Sequence, residues 1–394
     1  MNAFDIDNDI LKSNEDLIDN NLDDLMAGDI KNYARDWTVQ TICDQILQGN
    51  IDLNPKFQRR NAWNDQKRSR LIESLMLRLP VPEIVLAEHS DTPNTYIVLD
   101  GKQRLLTIMG FIYPEENKYW DSPKLQKLEI LKNLENKSYN DFENGTLEFK
   151  RSFQNASIRC TVIFGYKKDD LLYQIFYRLN SGAEPLSMQE LRQALRKGKF
   201  SDYLMSTTNE FQPIHRVMGL DGPDKRLVDA EIILKFIAIK MFGTEYSGNL
   251  KQFLDEKMNL LNKHWNEYEK VVKMEYELFN KALALLEKLL GLDNIARLAG
   301  KNPFNRNILE TQAYYFSFLL QTLTEDDILT KKTAFIASYR EICANNQDFS
   351  KSLNSNTTST KNYAIRFEAF ARLVQQVFGP TSIPANPFDR TQHS

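Results

Sequence analysis

Between residues 36 and 200 the apolar positions switch repeatedly between a two-residue and a three-to-four-residue period, which predicts alternating strands and helices. Residues 36–39 read as a short strand. Residues 40–48 read as a helix with Ile42, Ile46 and Leu47 on one face and Gly49 as its stop. An extended stretch follows over 50–57, since Pro55 bars a regular helix start. Asp65 is placed to cap a helix over 66–77, whose stripe is Leu71, Ile72, Leu75 and Met76, and Pro80 and Pro82 end it. Strands are expected over 83–88, 95–99 and 157–164, with a turn at 91–94. Helices are expected over 102–112 and 169–177, with a turn at 180–182. Ser187 and Glu190 form a capping box that opens a helix running to about Lys197, with Gly198 as its stop. Residues 114–150 are polar and read as an irregular insertion with some helix.

Beyond residue 200 the strand signal fades. Amphipathic helical patterns occupy 227–242, 249–290, 307–323, 326–344 and 361–378, with a Ser/Thr/Asn-rich loop at 352–360 and an irregular tail after Pro380. The fold class is therefore α+β: a mixed N-terminal domain over 35–200 and an all-helical domain over 201–380. An acidic, flexible segment over 1–34 flanks them on one side and a tail over 381–394 on the other.

Composition narrows the classes of function. No apolar run approaches the roughly 20 residues that span a bilayer, and the N-terminus has neither the basic nor the apolar region of a secretory signal. Cys43, Cys160 and Cys343 are odd in number and far apart, which fits a reducing cytoplasm and no disulfide framework. No two of the four histidines stand at metal-ligand spacing. The net charge of −3 hides an asymmetry: residues 1–30 carry nine acidic side chains against Lys12, leaving the remainder at +5. That segment is either a solvated tail or a competitor of nucleic acid for a basic surface. Basic residues cluster over 56–70, where Arg59, Arg60, Lys67 and Arg68 are interleaved with Phe57 and Trp63. Such a mixture suits phosphate contact and base stacking, as well as a solvated face.

The densest local feature is YIVLDGKQRL, residues 96–105, where a strand, a glycine turn and a helix start follow one another. A helix N-terminus presents unpaired N–H groups and partial positive charge. Gly101 lets a phosphate approach the backbone, while Lys102 and Arg104 add charge. Asp100 suits three roles there: holding a magnesium ion, orienting water, or capping the helix with Arg104 as its ion-pair partner. A second feature is FYRLNSG, in which Arg178 and Asn180 at a helix end either reach one ligand or satisfy a turn.

Taken in order, FQRRNAW, LIESLMLRLPVPEIVL, YIVLDGKQRLLTIMGF and IFYRLNSGAEPLSMQELR resemble the N-terminal domain family of GmrSD-type restriction endonucleases over roughly 35–200. That resemblance implies a ParB/sulfiredoxin-like core and an NTP site, with Mg²⁺, lined by a DGQQR block and an FxRxN block. The first block corresponds here to Asp100, Gly101, Gln103 and Arg104, and the second to Phe176, Arg178 and Asn180. Arg59, with Trp63 beside it, corresponds to a phosphate or DNA contact. The chain departs from the family at Lys102, where glutamine is usual, which puts turnover in question.

The resemblance implies a DNA-associated protein of bacterial defence, working alone, as a homo-oligomer, or with a separate nuclease. In its catalytic version Asp100, Gln103 and Arg104 act on a nucleotide held by Gly101, Lys102, Arg178 and Asn180, and Asp100 holds the metal. Arg59, Arg60, Trp63, Lys67 and Arg68 would then face DNA. In its non-catalytic version the same domain is a ParB-like DNA- or partner-binding module gated by nucleotide. His215, His264 and His393 are isolated, so cleavage by a His-Asn-His centre is not expected.

Overall fold

A computed structural model describes residues 30–53, 63–89, 92–117, 119–142, 146–166, 169–179, 187–299, 303–380, 383–384 and 386–388. Its contacts divide the chain into two units, one ending at Leu195 and the other running from Arg196.

The first unit is built on five strands: Lys31–Thr38 (β1), Ile51–Asp52 (β2), Ile84–Glu88 (β3), Tyr96–Asp100 (β4) and Ser157–Phe164 (β5). They form one sheet in the order β1-β5-β3-β4-β2. β1 runs antiparallel to β5, β5 parallel to β3, β3 antiparallel to β4, and β4 parallel to β2. β1 is longer than the pattern of residues 36–39 predicts. It is a largely exposed edge strand whose length is set by pairing along the whole of β5, from Lys31 opposite Phe164 to Thr38 opposite Ser157.

Side chains alternate across the central strands. Leu86, Tyr96, Val98, Cys160 and Val162 join the main core, while Val85, Ala87, Ile97 and Leu99 are buried outside it. Both faces of β3 and β4 are therefore covered, which explains their nearly unbroken apolar runs. The helices Val39–Leu47 (α1), Asp65–Met76 (α2) and Lys102–Ile112 (α3) supply much of the main core. The N-cap of α2 is Asn64, whose Oδ1 accepts from the Lys67 N–H at 2.9 Å; Asp65, expected as the cap, is the first helical residue. The side chain of Asn64 meets an orphan N–H while the charge of Asp65 favours the helix start.

The 114–150 insertion is ordered where it is described. It holds the short helix Pro114–Asn117 (α4), two single 3₁₀ turns and the helix Leu147–Gln154 (α5). Trp120 is buried beside α3 because Gly110 leaves room: a Cβ there would lie 2.9 Å from Trp120 Cβ and 3.0 Å from its backbone nitrogen. Phe111 packs at 5.7 to 6.2 Å between ring centroids on Trp120, Tyr139, Phe142 and Phe153. The insertion thus closes one end of the core. Its backbone is tied to α2 by two polar side chains one helical turn apart. Ser69 accepts from the Gln126 N–H, and Glu73 accepts from the N–H groups of Glu129, Ile130 and Leu131 at 3.1, 2.8 and 2.7 Å.

After β5 come the helices Asp169–Leu179 (α6) and Met188–Leu195 (α7), both packed against β4. The capping box is formed as expected: Glu190 N–H donates to Ser187 Oγ at 3.1 Å, and Ser187 N–H to Glu190 Oε2 at 2.6 Å.

The second unit is helical. Lys199–Thr208 (α8) and Pro213–Met218 (α9) were not expected; they precede Val228–Phe242 (α10). The single pattern over 249–290 resolves into Leu250–Lys263 (α11) and Trp265–Leu290 (α12), with His264 between them. Arg306–Thr322 (α13) follows, and the pattern over 326–344 also divides, into Glu325–Thr330 (α14) and Lys332–Asn345 (α15). Gln347–Ser352 (α16) and Thr360–Phe378 (α17) complete the unit. Tyr314, Tyr315 and Phe316 are core residues, as the continuing apolar pattern implies. Asp327 forms a capping box with Thr324 at the start of α14, an electrostatic cap. The tail is anchored, with Phe388 packed 4.7 and 4.8 Å from the rings of Tyr363 and Phe367. No helix among the described residues is long and apolar enough to cross a membrane.

Candidate functional site

The turn from β4 into α3 is built on Gly101, whose φ of +97° lies in the left-handed region. A side chain there would be strained, and its Cβ would lie 3.0 Å from Ile84 Cγ1, 3.1 Å from Arg104 Nη2 and 3.3 Å from Ile84 Cα. Because the N-cap is a glycine, α3 starts with no N-cap side chain over its first turn. Asp100 sits just before that position. Its Oδ1 accepts from the Gly101 N–H at 2.7 Å, and its Oδ2 accepts from Arg104 Nη2 at 2.9 Å.

Arg104 is the lynchpin of this turn. The same Nη2 donates to the Glu83 carbonyl at 2.8 Å. Its side chain is 12% exposed against 37% for Asp100, so the arginine holds from behind and the carboxylate faces outward. Glu83 in turn accepts from Thr161 Oγ1 at 2.8 Å through Oε2. The sheet register aligns these groups, with Val85 standing opposite both Asp100 and Thr161. Of the roles open to Asp100 and Arg104, their ion pair is formed. The partners Glu83 and Thr161 carry no local motif, and only the sheet register brings them to the turn.

Gln103 is partly buried, and its Oε1 is a buried acceptor with no hydrogen-bond partner, as is the donor Arg104 Nε. Buried polar atoms are nearly always satisfied, by protein groups or by ordered water. Lys102 is part-buried at the first helical position. Arg178 lies in the last turn of α6 and is exposed, and α6 packs on β4, the strand that ends in Asp100. The fold therefore puts the strand of the first block against the helix of the second. Asn180 lies outside the described residues, and the side chain of Phe176 is not described.

The basic segment divides. Arg59 and Arg60 lie outside the described residues. Trp63 is half-buried against the core, and the exposed Lys67 stands 4.8 Å from the centroid of its ring. Arg68 does not share that surface. It is 6% exposed, its guanidinium lies 5.4 Å from the Trp120 ring, and burial lowers its pKa. Its position on α2 turns it toward the insertion.

Burial pushes the Cys43 and Cys160 thiols up to about 12, which leaves them without thiolate character at neutral pH. Among the described residues no group of three His, Cys, Asp or Glu side chains is placed to hold a metal ion. His215 is fully buried: Nδ1 accepts from the Gln212 N–H at 2.9 Å and Nε2 lies 2.7 Å from Asp229 Oδ2, a structural pair. His264 is 37% exposed and lies 3.1 Å from Glu267.

Gly101→Ala is expected to destabilise the first unit by roughly 1–3 kcal/mol, combining left-handed strain with the contact on the Ile84 backbone. Urea unfolding measures it, and a loss below about 0.5 kcal/mol would show that the turn relaxes freely.

No curated protein and no solved structure matches the chain. Residues 39–196 match the family model described as the GmrSD restriction endonuclease N-terminal domain, a span that runs from the start of α1 through β4, α3, α6 and α7. The chain therefore carries, over residues 39–196, a domain of the GmrSD restriction endonuclease N-terminal family.

Proposed function

We propose that the 39–196 domain binds an NTP at the start of α3 and hydrolyses it, coupling that step to DNA association in a restriction-like defence system. The observation that carries this reading is the β4–α3 turn. A left-handed glycine opens a helix start, an outward carboxylate is fixed beside it by Arg104, and the buried Gln103 Oε1 has no partner. Backbone N–H groups at such a start suit phosphate oxygens. Magnesium is commonly held by one or two protein carboxylates together with substrate phosphates, so Asp100 alone fits that part. When bound, the ion would screen phosphate charge; Asp100 would hold it, Lys102 would add positive charge, and Gln103 would position a polar group of the ligand. Arg104 acts here as a positioning residue, since its exposed share is small and Nη2 already holds Asp100 and the Glu83 carbonyl. Arg178 completes the nucleotide-binding set from α6. DNA would engage the segment that includes Arg59, Arg60, Trp63 and Lys67.

A second reading, a nucleotide-gated binding module without turnover, is favoured by one observation. Arg104 Nη2 is already engaged by Asp100 and the Glu83 carbonyl, which leaves it less able to stabilise charge developing on a transferred phosphoryl group.

Phosphate release from each of the four NTPs, with magnesium and with or without DNA, separates the two. Magnesium-dependent release from at least one NTP is the expected result, and stimulation by DNA would make the domain a sensor. Binding without release moves the conclusion to the gated module. Neither binding nor release overturns the nucleotide site. DNA affinity should fall steeply with salt, because phosphate contacts release counterions.

A further inference from the structure

The helical unit contains a cavity of about 430 Å³ between α10, α12 and the start of α13, within the range of small-molecule sites. One part of its wall is apolar, where Phe236, Phe279, Phe304 and Leu250 are all buried and the Phe236 and Phe279 rings lie 4.9 Å apart. Another part is charged. Lys235 Nζ lies 3.0 Å from Glu310 Oε2, and Arg306 Nη1 lies 3.3 Å from Glu231 Oε1.

Charge is not balanced there. Arg366, fully buried, also lies 3.4 Å from Glu310 Oε2, so one carboxylate serves two cations. Tyr363 takes a further position on Glu310, at 3.1 Å from Oε1. The Glu310 cluster joins two cations, Lys235 and Arg366, to one carboxylate, and Glu231, paired with Arg306, acts on Lys235 electrostatically. A surplus buried cation costs free energy until an anion meets it. Burial accordingly lowers the Lys235 pKa. Asn354, which is exposed, stands on the cavity wall and marks its open side.

We propose that this cavity binds a small amphiphilic anion, a ring-bearing apolar body with one acidic group that lies against Lys235. The phenyl rings take the apolar body, and the acid supplies the negative charge that the Lys235–Glu310–Arg366 cluster lacks. The site belongs to the helical unit and does not depend on the nucleotide reading of the other unit. Occupancy would stabilise the ends of α10 and α13, which gives the helical unit a ligand-responsive role of its own.

The test uses the full chain and two fluorescent probes, anilinonaphthalene sulfonate and its neutral analogue phenylnaphthylamine. The expected result is one saturable sulfonate site, bound about tenfold more tightly than the analogue. Lys235→Met should remove that tenfold preference, while Glu310 keeps Arg366 and Tyr363 as partners. Asn354→Trp changes only an exposed position, leaves Lys235 in place, and should block both probes. Sulfonate binding that is unchanged in both variants, or no preference over the neutral analogue in the wild type, overturns the proposal.

Discussion

Asp100→Asn is expected to lower NTP-dependent phosphate release by about 10²-fold or more, the scale of losing one preorganised electrostatic group from an active site. Asparagine keeps an acceptor for the Gly101 N–H and changes little volume. It loses the charge that would hold magnesium and the ion pair with Arg104. Because Asp100 is more than a third exposed, that pair contributes at most about 1 kcal/mol to stability, so the fold should survive. Arg104→Lys makes the companion test. A guanidinium reaches both the Asp100 carboxylate and the Glu83 carbonyl, and a lysine cannot reproduce its planar fork. The lysine variant should lose kcat with little change in KM, since in the proposed site Arg104 would orient Asp100 instead of holding the nucleotide. Unchanged rates in both variants would remove the β4–α3 turn from the chemistry.

Glu73→Leu is expected to destabilise the first unit by about 3 kcal/mol or more. The carboxylate is 4% exposed and is the acceptor for three consecutive backbone N–H groups at 129–131, all of which lose their partner together. For a unit of this size that corresponds to a fall in Tm of roughly 6–12 °C. Glu73→Gln keeps one acceptor oxygen and should lose about half as much. Hydrogen exchange at Glu129, Ile130 and Leu131 gives the local readout, and protection should fall there before it falls in β3 or β4. A loss below about 1 kcal/mol would mean that Leu128, Leu131 and Leu134 hold the insertion by apolar burial alone.

The β4–α3 turn was legible because each of its parts is local. A β-branched run, an Asp-Gly step and an apolar helical stripe need no distant partner to be recognised, and Gly101 takes the left-handed φ that such a step permits. The capping box at Ser187 was legible for the same reason, since a cap is closed within four residues. Polar positions on helices were not. Ser69 and Glu73 look like the solvent side of an amphipathic α2, and so do Lys67 and Arg68, one residue apart. Only the packing of the insertion decides that Ser69, Glu73 and Arg68 are covered while Lys67 is not. The helix breaks at His264 and Lys331 were hidden in the same way within continuous helical patterns.

By itself, then, the amino-acid sequence determined the α+β class, the order of the main elements in the first unit, and the residues of the β4–α3 turn. Those depend on backbone preference and on apolar periodicity, which act over a few residues. The tertiary structure decided the strand order β1-β5-β3-β4-β2, the Glu83–Thr161 support behind Arg104, the inward turn of Arg68, and the charged cavity around Lys235. Each of these joins residues far apart in the chain, and burial, which sets what a polar group costs or contributes, is fixed only when those residues meet.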